Sequence, residues 1–268
     1  SMDTLKTVNV EIITYDNFKI YVQKTGYALN TWTGEVNIPD GAVNGKARIK
    51  VYGGTDKANN VMLADSSITF YIDTQAPTAP ILIKPKNQSY TNNLKPRFFW
   101  LKSTDTLSGI DHYELEINGS TLTPGKSWIS PNITDTLPTN KLNQSTNTWR
   151  IKVVDKAGNF IYSQSANLFI DTLKPTSIIS TPANGSVITQ YPIIVSGTAS
   201  DLQIDPFSGI DSLRVRFKKD NKYTKWYYAN FDDTLNKSTW QYKSDITDIG
   251  TYYVEAVAVD KAGNVQNV

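Results

Sequence analysis

The residues of this sequence that could do chemistry are mostly aspartates, and many of them recur in short motifs. D-K-A-G-N occupies residues 155–159 and 260–264, S-G-I-D occupies 108–111 and 208–211, and D-K-A-N-N occupies 56–60. Carboxylate oxygens are common ligands of Ca²⁺. Aspartate is also a frequent turn residue, because its side chain accepts hydrogen bonds from nearby backbone N–H groups. The motifs therefore allow two interpretations, a calcium site or a recurring turn.

Nine aspartates in or near these motifs are candidate calcium ligands. Two lie in I-D-T sequences, two begin D-K-A-G-N, two surround the first S-G-I-D and three surround the second. In that order they are Asp73, Asp171, Asp155, Asp260, Asp105, Asp111, Asp201, Asp205 and Asp211. The last three are the densest group, so the predicted calcium set is Asp201, Asp205, Asp211, Asp155 and Asp171. No D-x-D run occurs, and a turn role is the commoner explanation for aspartate. No other cofactor is predicted.

Catalysis is not indicated. The chain has no cysteine and one histidine, His112, which directly follows the first S-G-I-D. Nucleophilic catalysis needs a base beside the nucleophile, and histidine usually supplies it. Adjacent strand residues point to opposite faces, so Asp111 and His112 are not expected to form a dyad. With no third partner in view, the sequence predicts that the chain is not an enzyme.

A cluster of aromatic residues, Y-T-K-W-Y-Y-A-N-F over residues 223–231, is a candidate ligand surface. On a strand, Trp226 and Tyr228 share one face and Tyr227 takes the other. One face must fill the core, and the opposite face could stack on sugar rings or on a partner protein. Core packing is the alternative for these residues, and it is the role expected for Trp100, Trp149 and Trp240.

The motifs recur about 100 residues apart, which is the size of one β-sandwich domain. Between them, apolar and polar residues alternate, as in W-R-I-K-V over residues 149–153 and Y-Y-V-E-A-V-A over residues 252–258. A period of two with one apolar face predicts half-buried antiparallel strands. The sequence therefore predicts an all-β fold of tandem β-sandwich domains in an elongated array; the family resemblance described below implies that these sandwiches are immunoglobulin-like.

The prolines that follow I-D-T, Pro77 and Pro175, predict joints between units near residues 75 and 174. Proline has no amide donor, so it ends strand pairing and stiffens the chain. The predicted units are 1–75, which lacks its first strands, 76–174, and 175–268, which lacks most of its last strand. We refer to them as the first, second and third units.

The charge balance argues against two classes of partner. The net charge is +2, and lysine and arginine look dispersed along the chain, so nucleic-acid binding is not predicted. No apolar run is long enough to cross a bilayer, so no membrane contact is predicted for this fragment. The absence of cysteine also excludes a disulfide framework.

Two stretches of the chain resemble a known family. Residues 181–264 resemble bacterial immunoglobulin-like repeats of large cell-surface proteins. This stretch begins with T-P-A-N-G-S-V-I-T-Q-Y-P-I-I-V-S-G-T-A-S-D and ends with D-K-A-G-N. Residues 95–159 resemble the same group, with a fibronectin type III character around Trp100. The resemblance implies a non-catalytic, extracellular stalk or adhesion segment of a bacterial or archaeal surface protein. Its partners would be neighbouring domains of the same parent protein and a glycan or protein of a host or other surface.

Two other functions stay open at this stage. One is a glycan-binding accessory module of a secreted polysaccharide-degrading enzyme, acting through residues 223–231. The other is an adhesin repeat stiffened by calcium. A plain stalk would respond neither to glycan nor to a chelator.

Overall fold

The computed structural model describes residues 8–28, 31–39, 41–121, 128–201, 206, 208–234 and 237–268. All regular elements in these ranges are β-strands, and none of them contains a helix with the length and apolarity needed to span a membrane. The accessible surface of the chain is 16763 Å², whereas a single compact protein of this mass would expose roughly 11,700 Å². The surplus fits an extended series of small sandwiches, and the predicted all-β array is confirmed.

The described residues of the first unit form six strands around a small core. They are β1 (Asn9–Ile13), β2 (Lys19–Tyr21), β3 (Gln23–Ala28), β4 (Thr31–Glu35), β5 (Gly45–Tyr52) and β6 (Thr69–Ile72). Four of them form an antiparallel sheet in the order β2-β1-β5-β6, and β3 pairs with β4. Ile12, Ala47 and Ile72 are its fully buried core residues among those described.

The second unit is a two-sheet sandwich, with nine strands in the part of it that the structure describes. They are β7 (Ile81–Lys84), β8 (Ser89–Thr91), β9 (Phe98–Leu101), β10 (Ile110–Ile117), β11 (Ser120–Thr121), β12 (Asp135–Thr136), β13 (Thr146–Asp155), β14 (Phe160–Tyr162) and β15 (Ala166–Ile170). One sheet has the order β11-β10-β13-β15-β8, with β14 also on β13, and the other has the order β12-β9-β7. Trp100 and Trp149 are buried between them, as predicted.

The third unit is also a two-sheet sandwich, and eight strands lie within its described ranges. They are β16 (Thr176–Thr181), β17 (Ile194–Ser200), β18 (Ile210–Lys219), β19 (Lys222–Tyr223), β20 (Tyr227–Tyr228), β21 (Asn230–Thr234), β22 (Lys237–Lys243) and β23 (Tyr253–Asp260). One sheet has the order β16-β17-β22-β21, and β18 pairs with β19, β20 and β23 in the other. Trp240 belongs to its core, as predicted.

The second and third units share the register of their central strand pair. In β10 and β13, Ile110 lies opposite Asp155, and a register shift follows before His112. In β18 and β23, Ile210 lies opposite Asp260, and the same shift follows before Ser212. Residues of the two units can therefore be compared position by position, which both candidate sites below require.

The three buried clusters each draw on one predicted unit. The boundaries at residues 75 and 174, and the missing strands expected in the first and third units, stay predictions.

Separate cores should unfold separately. Trp240→Ala is expected to destabilise the third unit by about 3–5 kcal/mol, because it removes a large side chain from a packed interior. Calorimetry should show one transition moving down while that of the second unit keeps its position. Trp149→Ala is the mirror control, and a single transition that shifts in both variants would contradict separate cores.

Candidate functional site

Three carboxylates meet at each of the two predicted joints. Asp73, Asp105 and Asp155 form the first group, and Asp171, Asp201 and Asp260 form the second. In each group one carboxylate oxygen per residue lies within 4.8 Å of the others. We call these groups the first and second joint clusters.

The second joint cluster is assembled from three strand ends. Asp171 follows β15, Asp201 follows β17 and Asp260 ends β23. Backbone N–H groups of the S-G-I-D motif orient two of the carboxylates: Ser208 donates to Asp171 Oδ2 over 2.8 Å, and Gly209 donates to Asp201 Oδ2 over 2.7 Å. The motif therefore brings the end of the second unit against a loop of the third.

The first joint cluster has the same bonds. The Ser108 N–H donates to Asp73 Oδ2 over 3.1 Å, and the Gly109 N–H donates to Asp105 Oδ1 over 2.7 Å. Gly109 and Gly209 both have φ of +77°, a left-handed conformation in which glycine is favoured. The recurrence of S-G-I-D thus corresponds to a recurring joint.

D-K-A-G-N has two roles, a turn and a link across the joint. Within the turn, the Asn264 N–H and side-chain amide donate to the Asp260 carboxylate over 2.8 Å each. The same amide also donates to the backbone carbonyl of Asp171, over 2.9 Å. Asn159 reaches the Asp73 carbonyl over 3.1 Å in the same way.

The turn chemistry expected of this motif is confirmed. Asn59, Gly158 and Gly263 occupy its fourth position and have φ of 67°, 95° and 92°. In D-K-A-N-N, the Asn60 side-chain amide donates to the Asp56 carboxylate over 2.7 Å. Among the described residues, Asp56 belongs to no cluster of carboxylates. The first unit therefore has the turn without the joint.

Burial separates the two joint clusters electrostatically. Asp171, Asp201 and Asp260 are 1%, 3% and 2% exposed, whereas Asp73 and Asp105 are half-buried. Burial raises the pKa of Asp201 to about 6, and the charges of Asp171 and Asp260 add to the effect. Burial also raises the pKa of Asp260. Burial and the neighbouring negative charges therefore oppose the ionisation of Asp201 and Asp260.

The donor set at both joints suits a hard cation. Every group is an oxygen ligand, as Ca²⁺ and Mg²⁺ prefer, and no thiolate or imidazole contributes. A divalent ion held by these carboxylates would offset the repulsion between them. The residues present therefore fit the calcium interpretation as well as the turn interpretation.

The predicted calcium residues are distributed unevenly. Asp171 and Asp201 meet in the second joint cluster, and Asp155 belongs to the first. Asp211 is exposed on β18 and joins neither cluster among the described residues, and Asp205 lies outside the described residues. The predicted calcium set was chosen because its aspartates lie close together in the sequence, whereas each joint cluster combines residues about 30 to 90 positions apart.

The expectation that Asp111 and His112 point apart is wrong. His112 Nδ1 lies 2.6 Å from Asp111 Oδ2, because the register shift at the start of β10 breaks the strand alternation. His112 Nε2 lies 3.1 Å from Glu114 Oε1, and Trp128 stacks on the ring at 4.3 Å between centroids. Both ring nitrogens face carboxylates and the ring is covered, so this arrangement does not activate a nucleophile.

The aromatic residues near β20 lie on both faces of the sheet, some toward the core and some toward solvent. Tyr227 stacks on Tyr242 at 5.3 Å, beside the core, whereas Tyr228 is 72% exposed. Trp226 is half-buried, and its ring lies 4.4 Å from the Arg216 guanidinium. The structure therefore places Trp226 and Tyr228 with the basic residues of β18, which the sequence analysis treated as dispersed. The sequence feature that indicates this grouping is the alternation of apolar and basic residues in L-R-V-R-F-K over residues 213–218.

Several solved multidomain β-structures are similar to this chain. Fibronectin(III)-like modules of CbhA from Clostridium thermocellum share 13% identity, covering 70% of this chain and 89% of that chain at a TM-score of 0.43. The FN1–FN3 domains of chicken CNTN1 share 11% identity, covering 98% and 86% at 0.35. A 1.5-MDa bacterial ice-binding adhesin shares 13% identity, covering 99% and 85% at 0.36. No family model and no curated protein matches the chain. The fold assignment rests on the sheets and cores described above.

The second joint cluster predicts an inverted pH dependence of stability without metal. The pKa of Asp201, about 6 when folded and near 3.8 when unfolded, means that the folded protein holds the proton more tightly. Its stabilising contribution is complete below the unfolded pKa and is lost as the pH rises through 6. In EDTA, the free energy of unfolding of the third unit should rise by an amount on the order of 1 kcal/mol between pH 7.5 and 5.

Urea unfolding at both pH values measures this change, and Asp201→Asn is the control. The variant should lose the part of the rise that Asp201 supplies, because position 201 can no longer titrate, whereas Asp260 still contributes. Equal pH slopes in the two proteins would show that Asp201 is not responsible.

Proposed function

We propose that the chain is a non-catalytic spacer segment, a stalk or adhesion module of a bacterial or archaeal surface protein that works outside the cell. Its units meet near residues 75 and 174. The observation that supports this is the side-chain link at each joint, in which Asn159 or Asn264 bonds to the backbone of the preceding unit. Because this link fixes the joint to the following sandwich, the units are held in place and not merely tethered.

Further bonds reinforce the second joint. The Asn92 N–H of the second unit donates to the Ala262 carbonyl of the third over 3.1 Å. Lys174 Nζ donates to Asn267 Oδ1 over 2.6 Å on another side of the joint. Bonds at separate points resist bending in more than one direction, which a spacer requires.

The asparagine links can be tested with a matched control. Asn264→Ala removes a turn bond and a joint link together, whereas Asn60→Ala removes the corresponding turn bond without a joint. Lys141→Cys in the second unit and Val187→Cys in the third introduce one pair of exposed cysteines for spin labels. No other cysteine competes for the label, because the chain has none. We expect a narrow distance distribution in the wild type and in Asn60→Ala, and a broad one in Asn264→Ala.

A distribution that stays narrow in Asn264→Ala would show that this link does not fix the joint. A broad distribution in the wild type would contradict the spacer proposal itself.

We also propose that the joint clusters bind calcium, which is supported by their all-oxygen donor set and by the burial of the second cluster. A ligand that binds only the folded state stabilises it, by about 2.7 kcal/mol at a concentration of 100 Kd. Calcium should therefore raise the melting temperature relative to EDTA at neutral pH. Asp201→Asn should weaken the response, and Asp211→Asn, which changes an exposed aspartate outside both clusters, should not.

Identical melting temperatures in EDTA and in millimolar calcium would overturn the calcium proposal. That result would leave the asparagine links, and with them the spacer proposal, unaffected.

A further inference from the structure

The outer surface of the β18 sheet in the third unit concentrates positive charge. Residues 212–228 contain six basic residues and one acidic residue, although the whole chain carries only +2. Arg214, Arg216 and Lys218 alternate with the buried residues of β18 and so share its outer face. Tyr223, Trp226 and Tyr228 lie beside them. We call these six residues the basic-aromatic face.

Comparison with the second unit shows where the excess charge arises. There, Glu116 pairs with Arg150 over 2.7 Å, and Glu114 pairs with Lys152 over 3.2 Å. At the positions equivalent to the first pair, Arg216 and Glu255 form a reversed salt bridge of 2.6 Å.

At the positions equivalent to the second pair, Arg214 lies opposite Val257, which is 2% exposed and carries no charge. The described residues give the Arg214 guanidinium no carboxylate partner, and its Nε is buried without a hydrogen-bond acceptor. A guanidinium without a carboxylate partner can bind an external anion through the N–H groups of its fork, so the third unit keeps an arginine suited to one.

Aromatic rings accompany these cations along the strand. Tyr228 lies opposite Arg214 in the ladder, and the Trp226 ring lies 6.0 Å from Arg214 and 4.4 Å from Arg216. The Tyr223 ring lies 3.9 Å from Arg216 and 5.1 Å from Lys218. Tyr223 and Tyr228 are 46% and 72% exposed, so ring surface is open next to positive charge.

We propose that the basic-aromatic face binds an acidic polysaccharide, with uronate carboxylates or sulfate groups on Arg214 and sugar rings against Tyr228 and Trp226. An arginine fork matches the geometry of both anions, and aromatic rings stack on sugars. The remainder of the chain is net negative, since residues 212–228 carry more positive charge than the whole. This net negative charge confines the attraction of a polyanion to the basic-aromatic face, where exposed rings offer stacking surface for sugars.

Affinity electrophoresis of the whole chain tests this with four probes: polygalacturonate, dextran sulfate, unmodified dextran and single-stranded DNA. At least one of the two acidic polysaccharides should retard the protein, and dextran should not. Arg214→Glu, which installs the residue found at the equivalent position 114, should weaken binding at least tenfold. Lys57→Glu makes the same charge change on the first unit, where the side chain is exposed, and should not weaken it.

The aromatic contribution has its own matched pair. Trp128 and Tyr228 both precede a residue that donates its N–H to the central strand, and they are 70% and 72% exposed. Tyr228→Ala should weaken binding several-fold, and Trp128→Ala should not. Both variants change exposed side chains, and a cooperative melting transition verifies that each one folds; Trp128→Ala also uncovers the His112 ring, so its melting temperature is expected to fall slightly.

Several outcomes would overturn the proposal. These are retardation of the protein by neither acidic polysaccharide, equal retardation by dextran, and tighter binding of DNA than of both. Equal losses of polysaccharide binding in Arg214→Glu and Lys57→Glu would likewise overturn it, because binding would then depend only on the net charge of the protein. Each of these results leaves the spacer proposal standing, because the face lies away from the joint links.

Discussion

The aspartates that follow β6 and β15 accept backbone hydrogen bonds from the next sandwich, and the organisation of the joints depends on that interaction. An N–H group buried at a joint must find an acceptor, because an unpaired one costs about 1–3 kcal/mol. Ser108 and Ser208 find theirs on Asp73 and Asp171. The S-G-I-D loop and the end of the preceding unit therefore adopt their positions together.

The same interaction brings a cost with it. Backbone N–H groups favour ionised carboxylates, whereas burial and neighbouring charges disfavour them. At the second joint the unfavourable effects dominate for Asp201, whose pKa is raised to about 6. The joint thus has ordered hydrogen bonds around a cluster of charges that oppose one another, which accounts for the fit to a divalent cation.

Sequence patterns were sufficient for the fold because it depends on local alternation and on turn chemistry. The strand period around Trp149 and the positive φ at Gly158 and Gly263 are properties of neighbouring residues. The joint clusters could be anticipated only as a pool of aspartates, since their members come from distant strand ends. Asp73, Asp105 and Asp260 were in that pool but outside the predicted calcium set.

A register shift of one residue also escaped the sequence patterns. Alternation placed Asp111 and His112 on opposite faces, and the bulge at the start of β10 brings them together. The unpaired state of Arg214 was hidden for a related reason, because its neighbour across the sheet, Val257, is 43 positions away. Strand pairing determines partners that spacing along one strand cannot reveal.

The unequal burial of the two clusters has a mechanical consequence. In a series of sandwiches pulled from both ends, every joint carries the same tension. Water can compete for the half-buried bonds around Asp73 and Asp105 more readily than for those around Asp171 and Asp201. The first joint is therefore expected to open under a lower force than the second.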